Sequence, residues 1–254
     1  MSGGVTLKIL VCIDDTDNME SPGTGHLASS LAEAVERFGW GQSLPVTRHQ
    51  LFVHPDIPYT SHNSAMCFGA EIDEKRLDSL IAHASDYLTL ESAPGSDPGL
   101  CVACFDRITE PEKLIRFGQR AKSEILAKEE AYELAHFQGI HLSEHGGTGQ
   151  GVIGALAGAG LRLSGNDGRL KGKLKIRCEN NTATVGEILA QTVVDTVMSL
   201  GGAVLREDEP IYVADWVKAV LKDGKYILPV YFSDGKYSQG INWSTCTKQQ
   251  LRDY

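Results

Sequence analysis

The chain has 254 residues, 42% of them hydrophobic and 22% charged, and a formal net charge of -9 at pH 7. That length suits one large domain or two ordinary ones, and can bury roughly 70% of the unfolded surface without extra staples. The composition argues against a disulfide-stapled scaffold, a membrane bundle with apolar runs of about 18 residues, and a surface that draws nucleic acid broadly by charge.

Six cysteines and no apolar leader predict free thiols and a soluble, cytoplasmic protein with no membrane partner. Leu7 to Ile13 (LKILVCI) is nearly all apolar and reads as a strand buried on both faces. It runs straight into Asp14, Asp15, Thr16 and Asp17, which puts three carboxylates into four positions. The segment SPGTGH, which contains Thr24, then leads into a helix carried by Leu27, Leu31, Val35 and Phe38 and stopped at Gly39.

HPDIPYTSHNSAMCF, 54–68, is a loop stiffened by two prolines and rich in functional side chains: His54, Asp56, Tyr59, Thr60, His62 and Asn63. A strand from Met66 to Ile72 and a helix from Glu74 to Leu88 follow, the helix burying Leu77, Leu80 and Ile81. ESAPGSDPG is all turn formers, and Leu100 to Phe105 is a third strand. Thr109-x-x-Glu112 predicts a capping box ahead of Leu114, Ile115 and Phe117, with helix continuing through one break to Phe137 and ending at Gly139.

Ile140 to Leu142 predicts a brief strand, and SEHGGTGQG opens a small-residue helix at Val152. The composition shifts in GLRLSGNDG, 160–168, so the predicted domains are 1–165 and 166–254. RLKGKLKIR, 169–177, reads as a strand with a solvated lysine face, and its five cations in nine residues also leave a local basic patch open. Thr184 and Glu187 predict a second capping box, with Ile188, Leu189, Val193, Val197 and Leu200 extending that helix to Gly201. Trp216 to Leu221 and Tyr226 to Phe232 flank Asp223-Gly224 as a strand meander, and Pro229 suits an edge strand or a bulge. The predicted class is α/β in its α+β form: a mixed sheet with flanking helices in the first domain, and a smaller α+β second domain.

Packed carboxylates repel unless a cation neutralises them, and a hard divalent ion such as magnesium does so through carboxylate oxygens and waters. Asp14, Asp15 and Asp17 are therefore candidate metal ligands, with a self-capped acidic turn as the alternative reading. SPGTGH and SEHGGTGQG each open a helix and can aim free backbone N–H groups at phosphate. Gly149-x-Gly151-x-x-Gly154 lacks the Lys-Ser/Thr of a P-loop, and close helix packing through Gly151, Gly154 and Gly158 accounts for the same glycines. Cys101-x-x-Cys104 and His141-x-x-x-His145 read as structural, and no Gly-x-Ser-x-Gly elbow is present.

In this order, the pieces resemble the archaeal tRNA-isoleucine agmatinylcytidine synthetase family, in its N-terminal kinase-like domain. The matching residues are IDDTD at 13–17 with the TGH-led helix, HPDIPYTSHNSA at 54–65, SDPG at 96–99 and GTGQGVIGALAGAG at 147–160, together spanning about residues 5–165. The resemblance implies ATP-dependent phosphorylation of a nucleobase carbonyl, followed in the family by attack of agmatine on a tRNA anticodon cytidine. Carried over, Asp14, Asp15 and Asp17 would hold magnesium beside Thr16. Gly147, Gly149 and Gly151 would contact the phosphates of ATP, with Thr24, His62 and Asn63 on the same cleft.

Gln150 stands where the family's glycine loop usually has arginine, and His62 follows Ser61 where the family carries basic residues. The family's agmatine domain does not align after residue 165, and the chain is expected to end before a nucleic-acid-binding barrel or zinc ribbon. The resulting expectation is a magnesium-dependent, ATP-binding phosphotransferase or ligase whose acceptor is a small molecule or tRNA. Its alternatives are a tRNA-modifying ligase working with a separate RNA-binding protein, and a non-catalytic nucleotide sensor.

Overall fold

A computed structural model describes residues 5–57, 62–237 and 240–251. Its chain divides into two units, 1–164 and 165–254.

In the first unit, β1 (Thr6–Asp14) lies between β4 (Ser64–Asp73) and β5 (Gly99–Cys104), antiparallel to both. β2 (Gly41–Ser43) and β3 (Thr47–Gln50) pair with β4, and β6 (His141–Glu144) pairs with β5. Alternation along β1 serves two cores at once. Leu7, Ile9, Val11 and Ile13 pack under α1 (Thr24–Arg37) and α2 (Leu77–Glu91). Leu10 and Cys12 pack under α3 (Pro111–Arg120), α4 (Lys128–Phe137) and α5 (Gly151–Leu163). Covering both faces is why the strand is apolar almost throughout.

The glycines of α5 let that helix lie on the sheet and on α3 at backbone distance. A Cβ on Gly158 would sit 2.5 Å from Cys12 Sγ, and one on Gly160 would sit 2.2 Å from the carbonyl oxygen of Leu114.

The second unit pairs β7 (Arg169–Leu170), β11 (Val220–Lys222), β12 (Lys225–Phe232), β13 (Trp243–Thr245), β10 (Pro210–Tyr212) and β8 (Thr182–Thr184) in that order. β9 (Thr196–Ser199) runs parallel to β12, and β10 runs parallel to β13. With α6 (Val185–Gln191), the chain is an α+β protein whose strands pair in both senses.

Several expectations change. Thr109 does not cap α3, because its N–H, its hydroxyl and the N–H of Glu110 all donate to Gln138 Oε1 at 3.0 Å. The predicted boundary segment begins inside α5, which runs on to Leu163. The Thr184–Glu187 capping box forms, yet α6 ends at Gln191 and residues 196–199 are strand. The β-branched run Thr192, Val193, Val194, Thr196, Val197 favours extended backbone, and a partner in β12 was available.

Of the basic segment only Arg169–Leu170 is strand, and the first meander strand is confined to Val220–Lys222. Pro229 lies in a strand paired on both sides, at the changeover where β11 stops and β13 takes over. The six cysteines are free, five of them buried. Among the described residues no helix is long and apolar enough to cross a membrane.

Candidate functional site

β1 delivers Asp14, Asp15, Thr16 and Asp17 to one end of the first unit's sheet. Its register with β5 sets Asp14 opposite Gly99, so Asp97, far off in sequence, arrives at the same end. Asp14 is only 8% exposed, because α5 closes over it: a Cβ on Gly154 would meet Asp14 Oδ2 at 1.7 Å. Burial pushes its carboxyl up to about 8, and the charges of Asp15 and Asp17 add to that, against a hydrogen bond from the backbone of Asp15. Asp15 is pushed up to about 6 by burial, then by Asp97 and Asp17.

Asp15 also takes a left-handed backbone at φ 50°, uncommon for a residue with a Cβ. Thr16 is 1% exposed, and its hydroxyl finds no partner among the described residues. An unsatisfied buried hydroxyl costs about 1–3 kcal/mol. The carbonyl of Thr16 is bonded by the N–H of Ala93 at 2.9 Å, which fixes the acidic loop to the end of α2.

Asp17 reaches the start of α1: a Cβ on Gly23, the residue before Thr24, would lie 3.5 Å from Asp17 Oδ2. The helix dipole favours an anion there. Thr24 itself is buried in the first turn of that helix.

The glycine loop faces Asp97. The hydroxyl of Thr148 donates to Asp97 Oδ2 at 2.8 Å and its N–H to Oδ1, while the N–H of Gly151 donates to the Asp97 carbonyl at 3.1 Å. Gly146, Gly147 and Gly149 all have positive φ, at 156°, 57° and 76°. The N–H groups of Gly147 and Gln150 have no acceptor among the described residues, whereas the Thr148 N–H between them is taken by Asp97 and Gly149 closes the turn at 147–148; the two free groups can still meet an anion. Lys128 Nζ holds the loop from outside, at 2.9 Å from the Thr148 carbonyl and 3.3 Å from Glu144.

Other candidates have different surroundings. The Asn63 amide donates to the Phe52 carbonyl at 2.6 Å and its own carbonyl accepts from Leu51, so Asn63 closes the neck of the proline loop. Leu51 in that neck would meet a Cβ on Gly154 at 3.0 Å, beside Asp14. His62 is exposed, and Tyr59 and Thr60 lie outside the described residues. His141 and His145 both bond Ser143 Oγ, at 2.9 and 2.8 Å.

Sequence reasoning missed the part played by Asp97 and Thr148. The signal was the Asp in SDPG, placed directly before a strand. The donor set Asp14, Asp15, Asp17 and Asp97 is all oxygen, which is what a hard cation takes. Among the described residues no three His, Cys, Asp or Glu side chains are already gathered as a metal shell.

This architecture is shared with a class of tRNA-modifying synthetases, to which the chain is homologous over about 61% of its length. The isoleucine-tRNA 2-agmatinylcytidine synthetase TiaS of Methanosarcina acetivorans is 27% identical over 159 residues, covering 61% of this chain and 36% of that enzyme. An uncharacterized protein of Methanocaldococcus jannaschii is 30% identical over 158 residues, covering 61% of this chain and 50% of that one. Among solved structures, the complex of TiaS with its isoleucine tRNA and ATP matches with a TM-score of 0.53 at 28% identity, covering 61% of this chain and 36% of the other. The complex of TiaS with the same tRNA, AMPCPP and agmatine matches at 0.51 and 27%, covering 60% and 36%. The chain thus spans about a third of the length of the TiaS enzymes it matches. No protein-family model matches it.

Proposed function

We propose that this chain carries an ATP-using centre of the tRNA-modifying synthetase type, which phosphorylates an acceptor to activate it. The observation that carries the reading is the repulsive cluster of Asp14 and Asp15 with Asp17 and Asp97, set against the free N–H groups of Gly147 and Gln150, in a chain homologous to enzymes solved with ATP. Neither half is comfortable alone: the carboxylates need a cation and the free N–H groups an anion. Magnesium and a polyphosphate meet both needs together.

Asp15 and Asp14 or Asp17 would hold the ion, which is bound in such sites through one or two carboxylates, waters and phosphate oxygens. When bound, magnesium neutralises the charge of the phosphates. Gly147 and Gln150 would then orient them by backbone N–H groups, so that catalysis is mostly positioning and electrostatics. Thr16 presents a buried hydroxyl with no acceptor of its own beside these groups. The acceptor, by analogy with the relatives, is a tRNA base, with agmatine as a second substrate.

The test is to incubate nucleic-acid-free protein with ATP and magnesium beside Asp15→Asn, with and without tRNA, and to resolve ADP from AMP while weighing the protein for phosphate on Thr16. Nucleotide product from the wild type alone is the expected result. Equal turnover in the two proteins would remove Asp15 from the site.

A further inference from the structure

The net charge of the chain is divided unevenly. Residues 1–164 hold 12 Lys and Arg against 22 Asp and Glu, whereas residues 165–254 hold 12 against 11. The second unit has therefore been relieved of the acidity that would repel a polyanion, and four of its cations fall within seven residues, at Lys171, Lys173, Lys175 and Arg177.

The way that segment is held turns a run of charges into an ordered row. Leu174 and Ile176 pack against the unit's core, so the exposed side chains of Lys173, Lys175 and Arg177 alternate with them on the outer side. The Leu174 N–H donates to the Val217 carbonyl at 3.0 Å. Gln191, at the end of α6, grips the backbone of Arg177 on both sides, accepting from its N–H at 2.9 Å and donating to its carbonyl at 3.2 Å. Over 173–177 exposed and half-buried residues alternate as they do in extended chain, whose alternate residues recur about every 6.6 Å, close to the repeat of phosphates along an extended single strand. Among the described residues none of these three cations is in an ion pair; the next acidic side chain in the row is Glu179.

The row ends at an aromatic platform. Asn181 sends its Nδ2 to the Tyr212 hydroxyl at 3.4 Å, and Tyr212 lies opposite Thr182 on the neighbouring strand. Tyr237 is stacked on Tyr212 with centroids 4.7 Å apart and planes within 14°, and its hydroxyl is 2.7 Å from that of Tyr231. Tyr237 is nonetheless 40% exposed, and the side chain over its ring is the flexible Lys236, which a stacking base would displace towards its own phosphate. Lys236 Nζ lies 5.3 Å from its centroid. Spaced cations leading to a fixed, exposed ring are the two parts of a single-strand site: phosphates follow the charges and an unpaired base stacks on the ring.

We infer that the second unit binds single-stranded RNA, its backbone along Lys173, Lys175 and Arg177 and a base on Tyr237. The choice of RNA as the strand rests on the tRNA-modifying reading above. Binding needs neither ATP nor magnesium.

The test uses the full chain, a fluorescein-labelled 12-nucleotide single-stranded RNA and anisotropy in EDTA from 50 to 300 mM salt. The triple variant Lys173→Gln, Lys175→Gln, Arg177→Gln should lose about two units of the slope of log affinity against log salt, at ~0.7 for each phosphate contact on a single strand. Tyr237→Leu should weaken binding roughly 10-fold while keeping the slope. Thermal unfolding of each variant checks that the unit is folded. A triple variant with the wild-type slope, or a duplex of equal length bound as tightly as the single strand, would overturn the inference. Wild-type protein that binds RNA through this surface yet turns over no ATP would sink the proposed function and leave this one standing; ATP turnover with the single strand ignored would overturn this one alone.

Discussion

Asp14→Asn tests the electrostatics of the site without any substrate. In the folded protein the Asp14 carboxyl is pushed up to about 8, chiefly by burial under α5, whereas unfolded it titrates near 3.8. A carboxyl raised on folding keeps its proton while the unfolded chain releases one, so its contribution is intact below the unfolded value and is lost as pH rises through the folded one. Between pH 4 and pH 7 each unit is worth about 1.4 kcal/mol, which makes roughly 4 kcal/mol the full unrelaxed loss and about 2 kcal/mol a relaxed one. Asparagine has the shape of the protonated acid and no charge to bury. In EDTA, the variant should therefore match the wild type near pH 4.5 and overtake it by pH 8, by roughly 4–16 °C in melting midpoint. Magnesium with ATP should raise the wild-type midpoint at pH 8, and an equal rise in the variant would assign the ion to Asp15 and Asp17 instead. Parallel pH profiles for the two proteins, read by thermal or urea unfolding, would refute the assignment of a buried, cation-seeking carboxylate.

Gly154→Ala drives a Cβ to within 1.7 Å of Asp14 Oδ2, displacing the carboxylate by more than about 1 Å. Turnover measured as ADP release should fall about 100-fold with circular dichroism unchanged; wild-type turnover would contradict it. Asp97→Asn removes one of the charges that raise Asp15 to about 6. Because the cation needs Asp15 ionised, activity should rise with pH through that range, and in the variant the acid limb of the rate profile should move to lower pH. An unmoved limb would separate Asp97 from the site. Gly158→Ala puts a Cβ 2.5 Å from Cys12 Sγ and 2.7 Å from the Ala65 Cβ, so it should destabilise the first unit by roughly 1–3 kcal/mol in urea titration. Gly149→Ala, strained at φ 76° and driving a Cβ into the Glu144 carboxylate, should lower the stability of the first unit in urea titration as well as weaken binding of an ATP analogue; unchanged stability would contradict the packing of Glu144 on this loop.

The first unit was legible wherever one periodicity ruled a segment. β1 is apolar on both faces because both are covered, and α1 kept its Leu27, Leu31, Val35 stripe. The errors fall where two local codes coincide or a distant partner decides. Ile188, Leu189, Val193, Val197 and Leu200 fit helical spacing, yet the β-branched stretch within them pairs with β12, which lies well downstream in the chain. The Thr109 box failed because Gln138 offers one oxygen to three donors at once, a contact no window around Thr109 contains. Pro229 sits inside a paired strand only because two different strands share that edge of β12. Asp97 went unread for the same reason: the register of β5 against β1 brings it to the acidic loop.

The glycine-rich segment 146–160 had two readings, phosphate cradle and close packing, and packing runs through most of it, with the turn conformations confined to its start. From Gly151 onward the absent side chains are spent on contact: Gly151 against the backbone of Asp97 and Gly99, Gly154 against Asp14, Gly158 against Cys12 and Gly160 against Leu114. Before Gly151, Gly147 is crowded by Asp97 and Gly149 by Glu144, and their positive φ lets the loop turn there while Asp97 ties Thr148 in place. The packing half fixes the loop half. Because α5 can descend onto β1 only without Cβ atoms at 151, 154 and 158, its descent buries Asp14 and raises the cost of that charge. The same descent sets the open N–H groups at the end of the sheet where the costly carboxylates lie. One run of small residues thus sets the costly carboxylates and the turned glycine loop side by side, and it is on this adjacency that the proposed metal–polyphosphate site rests.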